Sequence, residues 1–388
     1  MTIIKDQVSL TLAGETIFIA ESYSIDMQVF TQPCTFSLTL GYGGVVSNMI
    51  KRYPPNTPFV LTVSGARKFI GFTDGYAVQQ AGDGTTLTLT GRDQLARLVD
   101  YQITREQVFS NITYVDLIQK AFVACDLPGV KVIGSNSANR KVQKGGDTTE
   151  LTSVKDITGE LIDVPTKKQL TAKTGEQWLV FLKRHLDRVG LFLWASVNEN
   201  EFIVSAPNAK QTASYRILRQ RGQPQNAVNV LSVSHTNNIA NRHGIAVVYG
   251  RGGGGKFGRA GWKGDHVSEE MVNTYGRKTT FGVRDSRCGT QSQADYLAYR
   301  KLSEEARDGW QLSYMIAGHT VPTTTGGSGV WTTDTVVSVD DQELGLRGNY
   351  YLEGVRFDRS EGNGTTTTLK LMRSQDLIFS DPTGYSAE

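Results

Sequence analysis

The chain has 388 residues, with 41 Lys plus Arg against 38 Asp plus Glu and a net charge of +3. That length suits two to four domains with full cores, and the near-balanced charge excludes a strongly basic nucleic-acid coat or an acidic tail. Three scattered cysteines (Cys34, Cys125 and Cys288) with no C-x-x-C argue against a disulfide framework or zinc knuckle, and read as small buried hydrophobes in a reducing compartment.

The start of the chain, MTIIKDQVSLTLAG, lacks a basic stretch followed by a long apolar one, so no signal peptide is expected. The apolar runs reach about five residues, against the ~20 needed to cross a bilayer as a helix. No membrane span is predicted.

Residues 1–97 read as strands. Val8, Leu10 and Leu12 alternate with Ser9 and Thr11, Phe36, Leu38 and Leu40 repeat the period, and Phe59–Val63 follows a proline-punctuated loop. Gly82-Asp83-Gly84 marks a hairpin turn into the Thr/Leu alternation of Thr85–Thr90. Period-2 patterning without helical periodicity predicts an antiparallel sandwich or barrel.

Residues 98–206 read as a small α+β domain. Thr113, with Asp116 three residues on, caps a predicted helix carrying Leu117, Ile118, Ala121 and Phe122, which stops before Pro128-Gly129. The polar stretch from Gly134 to Asp147 reads as a loop. Thr174 and Gln177 form a predicted capping box for a second helix with Trp178, Phe181 and Leu182 on one face and Gly190 past its end. Two apolar strands, Leu191–Trp194 and Phe202–Val204, follow.

Residues 207–379 return to strands, interrupted at about 250–310 by a glycine-rich loop and a third helix. That helix is predicted to be capped by Thr290 and Gln293, with Ala294, Leu297, Ala298, Leu302 and Ala306 as its apolar stripe. Residues 380–388 read as a frayed tail. The predicted fold class is therefore α+β, predominantly β: two tube-like antiparallel β-barrel domains, an α/β insert between them and an insertion in the second.

The two β regions resemble each other. Gly75–Val78, the Gly-Asp-Gly turn, Thr85–Leu89 and Arg92-Asp93-Gln94-Leu95 match Gly354–Phe357, Gly362-Asn363-Gly364, Thr365–Leu371 and Arg373–Leu377. Upstream, Phe69–Phe72 is set against Tyr350–Glu353. Any two hairpins with Thr-rich strands can align this way, but the extended match favours one barrel type occurring twice, with the α/β insert between the copies.

No catalytic constellation holds. The five histidines (His185, His235, His243, His266 and His319) have no metal-ligand spacing. Asp340-Asp341 and Glu304-Glu305 read as solvated charge. Gly250–Lys256 fits the first seven positions of a P-loop, but Phe257 stands where the magnesium-binding hydroxyl belongs. No cofactor and no metal are expected. The loop from Gly250 to Gly264 carries Arg251, Lys256, Arg259 and Lys263 with Phe257 and Trp262 among them. Two readings stay open for it: a loop made soluble by its charge, or a partner-contact element for an acidic surface or single-stranded nucleic acid, ordered on docking.

The order β-barrel, α/β insert, interrupted β-barrel resembles the baseplate hub proteins of contractile-tailed phages, especially Mu-like ones. The most telling segment runs from Leu170 through Gln177-Trp178 and Gly190-Leu191-Phe192-Leu193-Trp194 to Ser205-Ala206-Pro207. The resemblance implies a virion protein that is not an enzyme, a homotrimer whose six barrels ring a channel with pseudo-sixfold symmetry. Implied partners are the tail spike protein, the tail tube or tube-adaptor protein, the baseplate wedge proteins, and DNA and tape measure protein passing through without sequence-specific binding. Two other classes stay open: a carbohydrate-binding β-protein using Trp262, Trp331 and Tyr351, and a cryptic hydrolase.

Overall fold

The computed structural model describes residues 6–19, 21–30, 32–41, 51–81, 84–134, 141–144, 147–150, 169–187, 190–196, 200–220, 230–250, 261–285, 288, 291–324 and 328–377. Seven strands open the chain: Val8–Leu12 (β1), Glu15–Ile19 (β2), Ser22–Gln28 (β3), Thr35–Gly41 (β4), Pro58–Val63 (β5), Ala66–Ala81 (β6) and Gly84–Asp93 (β7). Alternation places Val8, Leu10 and Leu12 inside, as it does Phe36 and Leu38. Strand β3 was not anticipated, although Tyr23, Ile25 and Met27 are buried in the same period-2 pattern. Its polar positions Ser22, Ser24, Asp26 and Gln28 complete the same alternation as Ser9 and Thr11 in β1, so the pattern is present in the sequence.

After a short helix Ala96–Asp100 (α1) comes the insert. It contains Gln107–Phe109 (β8), Tyr114–Ala124 (α2), Lys131–Gly134 (β9), Lys141–Lys144 (β10), Asp147–Glu150 (β11), Leu170–Ala172 (β12), Trp178–Leu186 (α3), Phe192–Ala195 (β13) and Glu201–Ser205 (β14). Strands β13, β14 and β9 make one sheet, antiparallel then parallel. Its core joins Phe122 of α2, Trp178, Phe181 and Leu182 of α3, and Leu193 and Phe202 of the sheet.

Thr113 caps α2 as expected, its hydroxyl accepting from the Asp116 N–H at 2.9 Å. The capping box at Thr174 does not form. Gly175 takes φ +81°, a left-handed turn that keeps Thr174 out of the helix. Helix α3 therefore starts at Trp178, with Gln177 as an N-cap that makes no side-chain bond. Glu176 instead pairs with Arg184 at 3.0 Å. The expected Gly134–Asp147 loop is in part a hairpin, β10 pairing with β11; backbone hydrogen bonds alone can hold such a ladder, so it needs no apolar signature.

The remaining strands are Tyr215–Arg219 (β15), Val230–Asn237 (β16), Ile245–Gly250 (β17), Lys263–Val267 (β18), Thr280–Asp285 (β19), Trp310–Ala317 (β20), Thr320–Pro322 (β21), Ser328–Val330 (β22), Thr335–Asp341 (β23), Leu346–Ser360 (β24) and Gly364–Arg373 (β25). Helix Gln291–Gly309 (α4) precedes β20. It packs Ala298 and Leu302 on Ala246 and Val248 of the β18-β17-β19 sheet. The proposed Thr290 cap and the tail after 379 lie outside the described residues.

The two β regions are joined in one 13-stranded sheet, in the order β16-β20-β25-β24-β3-β4-β7-β6-β5-β1-β2, with β23 and β15 branching from β24. The junction is antiparallel pairing of Gly354–Arg359 in β24 with Tyr23–Gln28 in β3.

The repeat is visible in the register. Hairpin β6–β7 carries a bulge between Thr73 and Gly75, and hairpin β24–β25 carries one between Leu352 and Gly354. Gly75 faces Thr90, six residues after Gly84; Gly354 faces Lys370, six residues after Gly364. These equivalences agree with the sequence match. The bulge residues Asp74 and Glu353 are equivalent, and the ladder corrects the flanks of the sequence match: Asp93, not Arg92, occupies the place of Arg373, and Gly71, not Phe69, that of Tyr350.

Candidate functional site

Alternation gives the long sheet two faces. One holds the shared core, with Leu38, Leu89, Tyr314, Phe357 and Leu369. The other is polar and lines an open groove of about 610 Å³ over β3, β4, β20, β24 and β25. Hydroxyls dominate this groove: Ser22, Ser24, Ser37, Thr39, Thr366 and Thr368. Its charged residues are mixed, Arg356, Arg359 and Lys370 with Asp26 and Asp358; Arg356 donates to Asp358 at 2.9 Å and stands opposite Asp26 in the ladder. Thr39 and Thr88 bond across strands at 3.1 Å. The wall is one of short hydroxyls and mixed charge.

The halves are also locked by buried polar groups. His319 is fully buried; its Nε2 meets the Tyr23 hydroxyl at 2.8 Å and its Nδ1 meets Thr367 Oγ1 at 2.9 Å. Asp6 accepts from the backbone N–H groups of His319 and Thr320 at 2.6 and 3.1 Å. Burial lowers the imidazole pKa to about 4 and pushes Tyr23 up to about 12, so both stay neutral over ordinary pH. Lys68 of β6 is 2% exposed and donates to the Trp331 carbonyl at 2.9 Å. Burial drives its ammonium down to about 7.

A third cluster ties the insertion to the end of β25. Arg373 makes two bonds to the Glu270 carboxylate, each at 3.0 Å, and Arg242 adds one at 2.6 Å. Burial pulls the Glu270 carboxyl up, but the two guanidiniums outweigh it and hold the pKa at about 2. These contacts tie the insertion to the long sheet. Among the described residues, no group of three or more His, Cys, Asp or Glu is placed to hold a metal ion.

Of the residues in the proposed contact loop, Arg251, Lys256, Phe257 and Arg259 lie outside the described residues. Trp262 and Lys263 are placed, and not as free loop. The Trp262 carbonyl accepts from the Gly250 N–H at 2.7 Å. Lys263 begins β18, opposite Tyr249. Trp262 is 38% exposed, and Lys263 pairs loosely with Asp265 at 3.7 Å. The two glycines bounding the proposed loop are packing sites: a Cβ on Gly264 would overlap the α4 backbone at Ala294, and one on Gly250 the Cys288 carbonyl.

Other expectations need correcting. Trp331 and Tyr351, offered as exposed glycan platforms, are both fully buried. Asp341 is not solvated: 1% exposed, it accepts from the Tyr314 hydroxyl at 2.9 Å and from the N–H groups of Glu343 and Leu344. Glu305 accepts from the His243 N–H at 2.8 Å. Sequence reading missed the buried roles of Lys68 and His319; Lys68 sits inside β6, whereas His319 lies in the bend between β20 and β21, where no alternation marks it.

The fold is that of tail proteins of the phage type. It aligns with the tail protein from Neisseria meningitidis MC58 at TM-score 0.74 and 18% identity, over 98% of this chain and 100% of that one. It aligns with the 43 kDa tail protein of prophage MuSo2 from Shewanella oneidensis at 0.72 and 17%, over 96% and 100%. A third likeness is to the E. coli c3393 protein, a type VI secretion component described as similar to the T4 bacteriophage tail proteins gp27 and gp5, at 0.56 and 9% over 95% and 78%. No protein-family model matches the chain, and no curated protein sequence does.

Proposed function

We propose that this chain is the structural, non-catalytic hub of a phage tail baseplate, a homotrimeric ring with pseudo-sixfold symmetry around a channel. The observation that carries this reading is the repeated hairpin, with the same bulge and spacing in both halves of one continuous sheet. A chain with two equivalent halves lets a threefold assembly present six similar positions, which is what joining a threefold spike to a sixfold tube requires. The hydroxyl-rich face suits a passage, because short polar side chains of mixed charge offer no apolar patch to tape measure protein.

In this reading residues 1–97 and 207–379 are the two tube-like domains, 98–206 the peripheral α+β domain and 380–388 a tail. Partners are the spike, the tube or tube adaptor and the wedge proteins, and the site of action is the virion tail baseplate after assembly in the host cytoplasm. Burial of Trp331 and Tyr351 removes two of the three aromatics on which the carbohydrate-binding alternative rested. Light scattering of the purified chain should return three times its 42.6 kDa mass, and averaged electron micrographs a ring. A concentration-independent mass of one chain overturns the reading.

The segment 251–261, with Trp262 and Lys263 at its base, is the proposed docking element. Its ends are already hydrogen-bonded to each other through Gly250 and Trp262, so replacing residues 251–261 with Asn-Gly closes β17 and β18 as a two-residue hairpin. Melting temperature and trimer mass should stay at wild-type values while tail assembly or infectivity falls. Unchanged infectivity assigns the segment to mere solubility.

A further inference from the structure

The junction between the two halves inside the chain is a template for a junction that the single chain leaves incomplete. In the second half, β24 is shared: its first part pairs with β23, and beyond the bulge Gly354–Arg359 pairs with β3. In the first half, β6 is built the same way. Its first part pairs with β5 up to Phe72, but beyond the bulge the outer edge of Gly75–Ala81 has no ladder partner among the described residues. At the other end of the sheet, β16 pairs with β20 and has no second ladder partner among the described residues. Strand β16 stands to β20 and β25 as β3 stands to β4 and β7. The single chain thus has one satisfied copy of this junction and the two unsatisfied halves of a second.

We propose that β6 of one copy pairs antiparallel with β16 of the next copy, in the register of the β24–β3 junction. Carrying the intrachain pairings across the repeat sets Val78 opposite His235, as Phe357 is opposite Ile25, and Tyr76 opposite Asn237, as Val355 is opposite Met27. The exposures fit. Val355 and Phe357 are 1% and 0% exposed, whereas Tyr76 and Val78, on the same face, are 39% and 41% exposed. Two apolar side chains on an unpaired strand edge invite strand addition. The complementary edge is β16, whose His235 and Asn237 are also exposed. The contact is heterologous, one surface meeting a different surface of the neighbour, so it must close as a ring or run on as a filament. On the other face the charged pair Arg356–Asp26 is replaced by Ala77 and Thr236, so interchain junctions carry less charge than intrachain ones.

This pairing rests on the ring reading above and is tested separately from it. Val78→Cys and His235→Cys are combined in the full chain; both positions are exposed, and the native cysteines are buried. Six strands lie between the two positions in one chain, about 34 Å along a sheet at ~4.8 Å per strand, and a non-reduced band above the mass of one chain marks a cross-link as between copies. Mild oxidation should give a covalent ladder that ends at three chains. Tyr76→Cys with Val233→Cys, four residues out of register, should remain unlinked. The reduced variants, checked by light scattering and circular dichroism, report folding and assembly. A trimer of normal mass with no Val78–His235 cross-link overturns the strand pairing and leaves the ring standing. A ladder that stops at two chains also overturns it, and a monomer overturns both.

Discussion

Replacing Trp178 with alanine should cost ~3–5 kcal/mol of stability in the α/β insert, the usual range for truncating a buried aromatic. The indole is 3% exposed and begins α3, with Phe181 edge-on at 6.0 Å and Phe109 at 6.4 Å. Its removal leaves a void between α3 and the β8–β12 pair, and the surrounding residues Leu182, Leu193 and Phe202 belong to rigid elements that cannot collapse into it. Strand β14, two insert elements further on, should lose hydrogen-exchange protection with the helix, since Val204 shares the same core. The long sheet has its own core and should keep its protection. A variant that melts with wild type would refute the core role of Trp178.

The second large effect is a pH dependence located in Lys68. In the folded chain its ammonium is driven down to about 7 by burial, against about 10.4 for a free lysine. Between those values the unfolded chain binds a proton that the folded chain does not, so stability rises with pH across that window. At about 1.4 kcal/mol per pH unit the rise has a ceiling of about 5 kcal/mol. Lys68→Met keeps the length and apolar stem of the side chain and removes the ionisable group. The difference in unfolding free energy between wild type and Lys68→Met should therefore grow in favour of wild type from pH 7 to pH 9.5. Below pH 7 the methionine variant should be the more stable of the two, because the lysine there carries its charge into a site whose one bond is to the Trp331 carbonyl. Parallel curves for the two proteins would show that Lys68 is hydrated in solution.

The physical reason the Lys68 effect is large is also the reason it is hard to read from sequence. Lys68 lies at the seam between the two halves, beside Trp331 and with Phe357 5.3 Å from its ammonium. Trp331 and Phe357 are more than 260 residues away in sequence, and no local pattern announces such a neighbour. The same holds for His319, whose partners Asp6 and Tyr23 come from the opposite end of the chain.

The repeat itself was legible because it is local. Glycine at Gly84 and Gly364, with φ +147° and +66°, and the Thr/Leu alternation that follows are requirements of a hairpin wherever it sits. Helix α2 was legible for the same reason: the Thr113 hydroxyl and the Asp116 N–H lie within one turn. The misplaced start of α3 shows the limit of that reading, since Thr174 and Gln177 have the capping spacing but Gly175 turns the chain the other way.

The sequence by itself determined the alternating strands, the amphipathic helices, the mostly β class and the presence of two related hairpins, because each is set by the chemistry of residues a few positions apart. Only the tertiary structure decided that the two β regions share one sheet, through the pairing of β3 with β24. It alone turned Trp331, Tyr351 and Asp341 from surface candidates into core. Burial is a property of what the rest of the chain places over a residue, and strand order is chosen by which edges meet; both are long-range, and neither is written in any window of neighbouring residues.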